Sequence, residues 1–112
     1  MKNKAFAILF GVIILVAIIL RFYKFGEIPV SLYWDEVAVG YNAYSIATNL
    51  RDEHGVLLPL MFRSFGEYKM PAYVYLTAPI VKVFGMNEIS VRLWSGILGV
   101  VAVIGSYLLA KE

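Results

Sequence analysis

The chain has 112 residues, room for one small domain. Hydrophobic residues make up 61% and charged residues 16%, against about 45–50% apolar in an ordinary soluble domain, which excludes disorder; the absence of cysteine excludes a disulfide scaffold or thiolate metal site. A net charge of +2 is too small to imply a nucleic-acid partner, while a mean hydropathy of +0.75 and eight Tyr, seven Phe and two Trp fit a membrane protein with aromatics at its interfaces.

The first element is an uncharged run over 5–20, with Lys2 and Lys4 before it and Arg21 and Lys24 after it. With Arg21 snorkelling and Phe22 and Tyr23 at headgroup level, a transmembrane helix is expected over 5–23. A cleavable signal peptide shares the basic start, but no small-residue cleavage site follows, so the run reads as an uncleaved anchor.

A loop over 24–88 comes next, and it is not a polar linker. Trp34, Val37, Ala38, Tyr41, Ala47 and Leu50 fall at helical spacing, which predicts a helix over about 32–50, with Pro29 before it and Gly55 as its stop. The stretch 57–65 reads as irregular or short-stranded. A second helix is expected over 71–84, opened by Pro71 and ended by Gly85. It is short for a span and carries Lys82, so it is expected to lie in the interface. An uncharged run over 93–110 supplies the second transmembrane helix, placed at 89–110 with Asn87 as N-cap and Arg92 snorkelling outward. Ser95, Gly99, Ala102 and Ser106 share one face of it; small residues there let helices approach closely and imply a helical neighbour.

The expected architecture is therefore an all-α membrane protein: two transmembrane helices joined by a long extracytoplasmic loop with two interfacial or juxtamembrane helices, within a single membrane region 1–112. The α-amino group, Lys2 and Lys4 place the start in the cytoplasm by the positive-inside rule, and the second span returns the C-terminus there.

Three groups of side chains can carry chemistry. Asp35 and Glu36 are adjacent acids just past the first span; they suit either the first turn of a helix or a carboxylate among aromatics that accepts a proton. Glu67 and Lys69 stand just before Pro71. Lys69 is either a snorkelling lysine or a point charge for a phosphate at headgroup depth, with Arg63 in support. Arg51, Asp52, Glu53 and His54 read as a solvated helix end, because no second histidine exists in the chain. No P-loop, no G-x-G-x-x-G and no Ser/His/Asp spacing occurs. Neither span contains an ionisable residue between 5 and 20 or between 93 and 110, which speaks against a transporter subunit.

The order of these features is distinctive: an anchor, Trp34-Asp35-Glu36, Gly40, Gly66-Glu67-Tyr68-Lys69-Met70-Pro71, Phe84-Gly85-Met86-Asn87-Glu88 and Val91-Arg92-Leu93. It resembles the N-terminal region of GT-C fold glycosyltransferases, in particular the protein mannosyltransferase and lipid A aminoarabinose transferase superfamily. The resemblance implies an inverting sugar transfer from a polyprenyl-phosphate donor to an acceptor on the extracytoplasmic face. It implies that Asp35, with Glu36 beside it, is the catalytic acid pair, and that Lys69, with Arg63 and Glu67, binds the lipid phosphate. Many relatives have Lys-Pro directly, whereas Met70 intervenes here. The resemblance also implies an N-terminal piece of such an enzyme, inactive alone, whose partners are the sugar-bearing lipid, membrane lipid and the remaining spans; no nucleic acid is expected. The expected location is the plasma (inner) membrane of a prokaryote. No cofactor is indicated: Asp35, Glu36 and Asp52 would ligate a divalent metal only with help from other segments. The alternative is a non-enzymatic two-span protein that binds a helical partner through Ser95, Gly99, Ala102 and Ser106.

Overall fold

A computed structural model describes residues 2–112. The α-amino group of Met1 and the side chain of Lys2, both used above for orientation, lie outside the described residues. In chain order the elements are α1 (Lys2–Phe22), α2 (Trp34–Asn49), β1 (Phe62–Ser64), β2 (Glu67–Lys69), α3 (Pro71–Phe84) and α4 (Glu88–Lys111). The protein is thus mostly helical. Two helices, α1 and α4, are long and apolar enough to cross a membrane. The chain divides into two compact units, one of Met1–Phe25 with Ser95–Glu112 and one of Gly26–Trp94.

The first unit is made by α1 and the C-terminal three-quarters of α4. Their large side chains meet small ones. The Phe10 ring stacks on Tyr107 with centroids 3.8 Å apart. Phe22 and Phe25 lie over Gly96, and the Arg21 guanidinium lies over Gly99. Ser106 Oγ donates to the Ala102 carbonyl at 2.8 Å, so its hydroxyl is satisfied inside its own helix. Phe6, Ile8, Leu9, Leu15, Val101 and Leu109 stay bare, and water would be a poor solvent for such a surface.

The second unit has its own core. The helix α2 begins because Glu36, three residues into it, accepts the Tyr33 backbone N–H at 2.9 Å and satisfies an orphan donor. It ends at Asn49. Leu50 takes a left-handed conformation (φ 59°) and returns its N–H to the Ile46 carbonyl at 3.0 Å. Beyond it Asn49 Oδ1 accepts the Arg51 N–H, and Asp52 Oδ1 accepts the N–H groups of His54 and Val56; these side chains offer the backbone a turn in place of another helical turn. Pro71 opens α3 at a position where its missing N–H costs nothing. Ala43 and Ile46 of α2, Val74, Ala78 and Val81 of α3 and Phe62 of β1 form one buried cluster. The first half of α3 is tied to the start of α4 by Tyr73, which donates to the Val91 carbonyl at 2.9 Å, and by Trp94, which donates to the Leu76 carbonyl at 2.7 Å. Asn87 caps α4 by accepting the Ser90 N–H at 2.9 Å.

Close approach decides one glycine. A Cβ on Gly40 would stand 2.9 Å from Val91 Cγ2 and 3.4 Å from Met86 Cε, and Val91 is fully buried. Gly40→Val is therefore expected to destabilise the Gly26–Trp94 unit by about 2 kcal/mol, the scale of overpacking a closed site. A thermal melt in detergent would read this as a clear drop in Tm; an unchanged Tm would contradict the packing.

Candidate functional site

The site starts from an arginine. The sequence reading sent Arg92 outward to water, and the structure corrects this: Arg92 is only 6% exposed. Its Nε donates to Glu36 Oε1 at 2.8 Å and its Nη2 to Glu36 Oε2 at 3.2 Å. Nη1 and Nη2 also donate to the carbonyls of Pro29 (3.2 Å) and Ser31 (3.1 Å). The planar fork of a guanidinium suits this four-way grip, and a partner is what makes its burial tolerable. One side chain therefore ties the incoming loop and the first turn of α2 to the second turn of α4.

Glu36 is shared between Arg92 and the Tyr33 N–H. The Arg92 hydrogen bond holds its carboxyl below the usual 4.5, with the Tyr33 N–H adding to this and burial opposing it. A lowered native value means stability that is present above the unfolded value and lost as pH falls through the folded one. The Gly26–Trp94 unit is accordingly expected to lose stability as pH drops below about 4.5. Circular dichroism melts between pH 6 and 3 would show it, and Glu36→Gln should flatten that slope while lowering stability at pH 6.

Asp35, one residue earlier on α2, points elsewhere. Its Oδ1 accepts Lys69 Nζ of β2, and Lys69 Nζ also donates to Glu67 Oε2 at 3.1 Å. The Lys69 side chain is 17% exposed, against 61% for Asp35 and 76% for Glu67. The Asp35 contact, then the Glu67 contact, raises the Lys69 amine above its ordinary 10.5, so the group is a fixed cation. One ammonium faces two carboxylates, and the immediate formal charge is negative.

The hairpin that presents Lys69 has a specific local cause. Phe65 (φ 52°) and Gly66 (φ 81°) are both left-handed, and a two-residue turn of that kind matches the twist of the strands it joins. Register pairs Phe62 with Lys69, Arg63 with Tyr68 and Ser64 with Glu67. A side-chain network then fastens the hairpin to α2. The buried Asn42 donates from Nδ2 to Ser64 Oγ at 2.9 Å and accepts the Glu53 N–H at 3.2 Å, while Ser64 Oγ donates to Glu53. His54 Nε2 lies 2.8 Å from the Arg63 carbonyl.

Asp35, Glu67 and Lys69, with Tyr33, Trp34 and Phe65, line an open cleft of about 300 Å³. Of the residues proposed from sequence, the structure brings those three together. Glu36 is adjacent in sequence but engaged with Arg92. The pleat puts Arg63, with Tyr68, on the face opposite Lys69 and Glu67, and Arg63 is not among the cleft's lining residues. Ser95, Gly99, Ala102 and Ser106 belong to the other unit. No group of three or more His, Cys, Asp or Glu stands in metal-binding array among the described residues. Sequence reasoning missed Arg92, and the signal was present: an arginine inside an apolar helix needs an acid, and Glu36 was available. It also missed β2, because the turn has Phe65-Gly66 where Asn-Gly would have announced it.

The family model for dolichyl-phosphate-mannose-protein mannosyltransferase matches residues 11–112. The chain belongs to that family. The mannosyltransferase resemblance read from the motif order is thereby borne out, and with it a membrane setting and, at a coarse level, a lipid-linked sugar donor. Family membership does not favour the non-enzymatic two-span alternative. No curated protein and no solved structure matches this mannosyltransferase-family chain.

Proposed function

We propose that this mannosyltransferase-family chain carries the donor-phosphate and proton-accepting groups of an inverting transfer of a sugar from a polyprenyl phosphate, on the extracytoplasmic face of the membrane. The observation that supports it best is the Asp35–Lys69 ion pair, which joins a helix and a hairpin 34 residues apart in one open cleft. Lys69 offsets the charge that grows on the phosphate oxygen as the sugar C1–O bond breaks and the electron pair leaves with the phosphate. The acceptor hydroxyl attacks C1 from the opposite side, forms the new C1–O bond and gives its proton to Asp35. Glu67 holds Lys69 in place between turnovers. Glu36 acts through Arg92 as a positioning residue for the first turn of α2. In this reading α1 and α4 are the spans, and the loop that bears α2 and α3 lies against the outer leaflet. Arg63 has no part in the two roles named.

The test is lipid binding by the full chain in phosphatidylcholine nanodiscs, with a photoreactive polyprenyl phosphate as probe. Lys69→Ala is expected to weaken labelling about tenfold or more, the scale of one charge-assisted contact. Labelling equal to wild type would remove Lys69 from the site.

A further inference from the structure

The cleft has more than charges in it. Trp34 heads α2, one residue before Asp35, and is 64% exposed. Phe65, at the hairpin turn, meets it in an edge-type contact with centroids 5.7 Å apart. The indole is thus braced on one side by the element that bears Glu67 and Lys69, yet it remains largely bare. Among the described residues Trp34 has no hydrogen-bonding task that would account for its place. A largely bare indole offers a broad apolar plane, and one in a cleft with two carboxylates and an ammonium has a particular complement.

We infer that Trp34, braced by Phe65, is the stacking platform for the pyranose ring of the transferred sugar, and so distinguishes a lipid phosphate that bears a hexose from one that does not. This rests on the donor reading above. A pyranose has an apolar C–H face that packs on an aromatic plane, and a rim of hydroxyls. Glu67, with one carboxylate oxygen beyond its Lys69 contact, is an acceptor for those hydroxyls, and Lys69 is a donor for the phosphate oxygen or a ring substituent. An apolar plate with a few convergent polar groups is the usual composition of a small-ligand site. The charge count agrees: with two carboxylates against one ammonium, a bare phosphate is opposed, whereas a neutral sugar supplies contacts that do not depend on charge. Trp34 is then a specificity-determining residue, while Lys69 serves any lipid phosphate.

The experiment compares two probes on the full chain in phosphatidylcholine nanodiscs: a polyprenyl phosphate and the same lipid carrying mannose. Wild type is expected to bind the mannosyl lipid about tenfold more tightly, the order of one aromatic contact of about 1.4 kcal/mol. Trp34→Ala should abolish that difference and leave the bare lipid phosphate unchanged. Trp34→Phe should keep most of the difference, and Lys69→Ala should weaken both probes. Trp34 is exposed, so these substitutions spare the core. In a Trp94→Phe background Trp34 is the one remaining indole, and its emission should shift to the blue with the mannosyl lipid and stay put with the bare one. If Trp34→Ala lowers both affinities alike, or the preference survives it, the platform is overturned while the donor reading stands. If wild type binds neither lipid, the donor reading fails and the platform falls with it.

Discussion

Arg92→Leu is expected to destabilise the Gly26–Trp94 unit by about 3 kcal/mol, the largest single effect of any substitution outside the buried cluster. The arginine leaves three acceptors behind: the Glu36 carboxylate and the carbonyls of Pro29 and Ser31. Glu36 is partly open to water, with 29% of its side chain exposed, so the value sits at the low end for a broken buried pair. Arg92→Lys is expected to recover less than half of the loss, because a single ammonium cannot hold a carboxylate with two parallel bonds and two carbonyls at once. The second substitution Glu36→Gln, made on Arg92→Leu, should cost little more, since its partner is already gone. Urea or thermal unfolding of the purified chain in detergent measures all three. Additive losses in the double variant would show that Glu36 and Arg92 do not depend on each other.

The second large effect concerns Asp35, and it has two signs. Asp35→Asn removes one of the two anions that hold Lys69. A lipid phosphate then meets a neutral local charge where it met a negative one, and binding of the bare lipid should tighten. The same change removes the group that takes the acceptor proton, so transfer should fall by about 100- to 10,000-fold, the usual span for a lost general base. Lipid labelling gives the first quantity. Sugar incorporation by membranes that carry the chain gives the second. Glu67→Gln should share the tighter binding without the collapse of transfer. A parallel fall of binding and transfer in Asp35→Asn would mean that Asp35 holds the donor and is not the base.

Lys69 also sets how the cleft responds to pH. Its raised value keeps it charged across the physiological range. On the alkaline side, the ion pairs it makes with Asp35 and Glu67 are fully present up to its ordinary value and are lost as the pH rises through the folded one. Near neutral pH the cleft is therefore set by whether a phosphate displaces the carboxylates from Lys69.

Much of this was legible in the residues before any fold was known. The lengths and apolarity of α1 and α4, the start of α3 at Pro71 and its end before Gly85, and the Asn87 cap all follow from local rules. Hydropathy, a ring without an N–H and a side chain that accepts from its own backbone act over a few residues, so sequence carries them. The chemical order of acid pair, lysine and Val-Arg-Leu stretch was enough to point to the mannosyltransferase family.

Tertiary structure alone decided the partners. Asp35 and Glu36 are adjacent acids of one helical turn, yet one faces Lys69 and the other Arg92. Successive residues on a helix are rotated by about 100°, so the neighbours in space differ although the neighbours in sequence are shared. The same holds for Arg63 and Lys69, which the strand pleat parts to opposite faces. The choice of Arg92 for Glu36 spans 56 residues, and no periodicity reaches that far. It is settled by the cost of burying an unpaired charge, which depends on what the whole fold brings to that point.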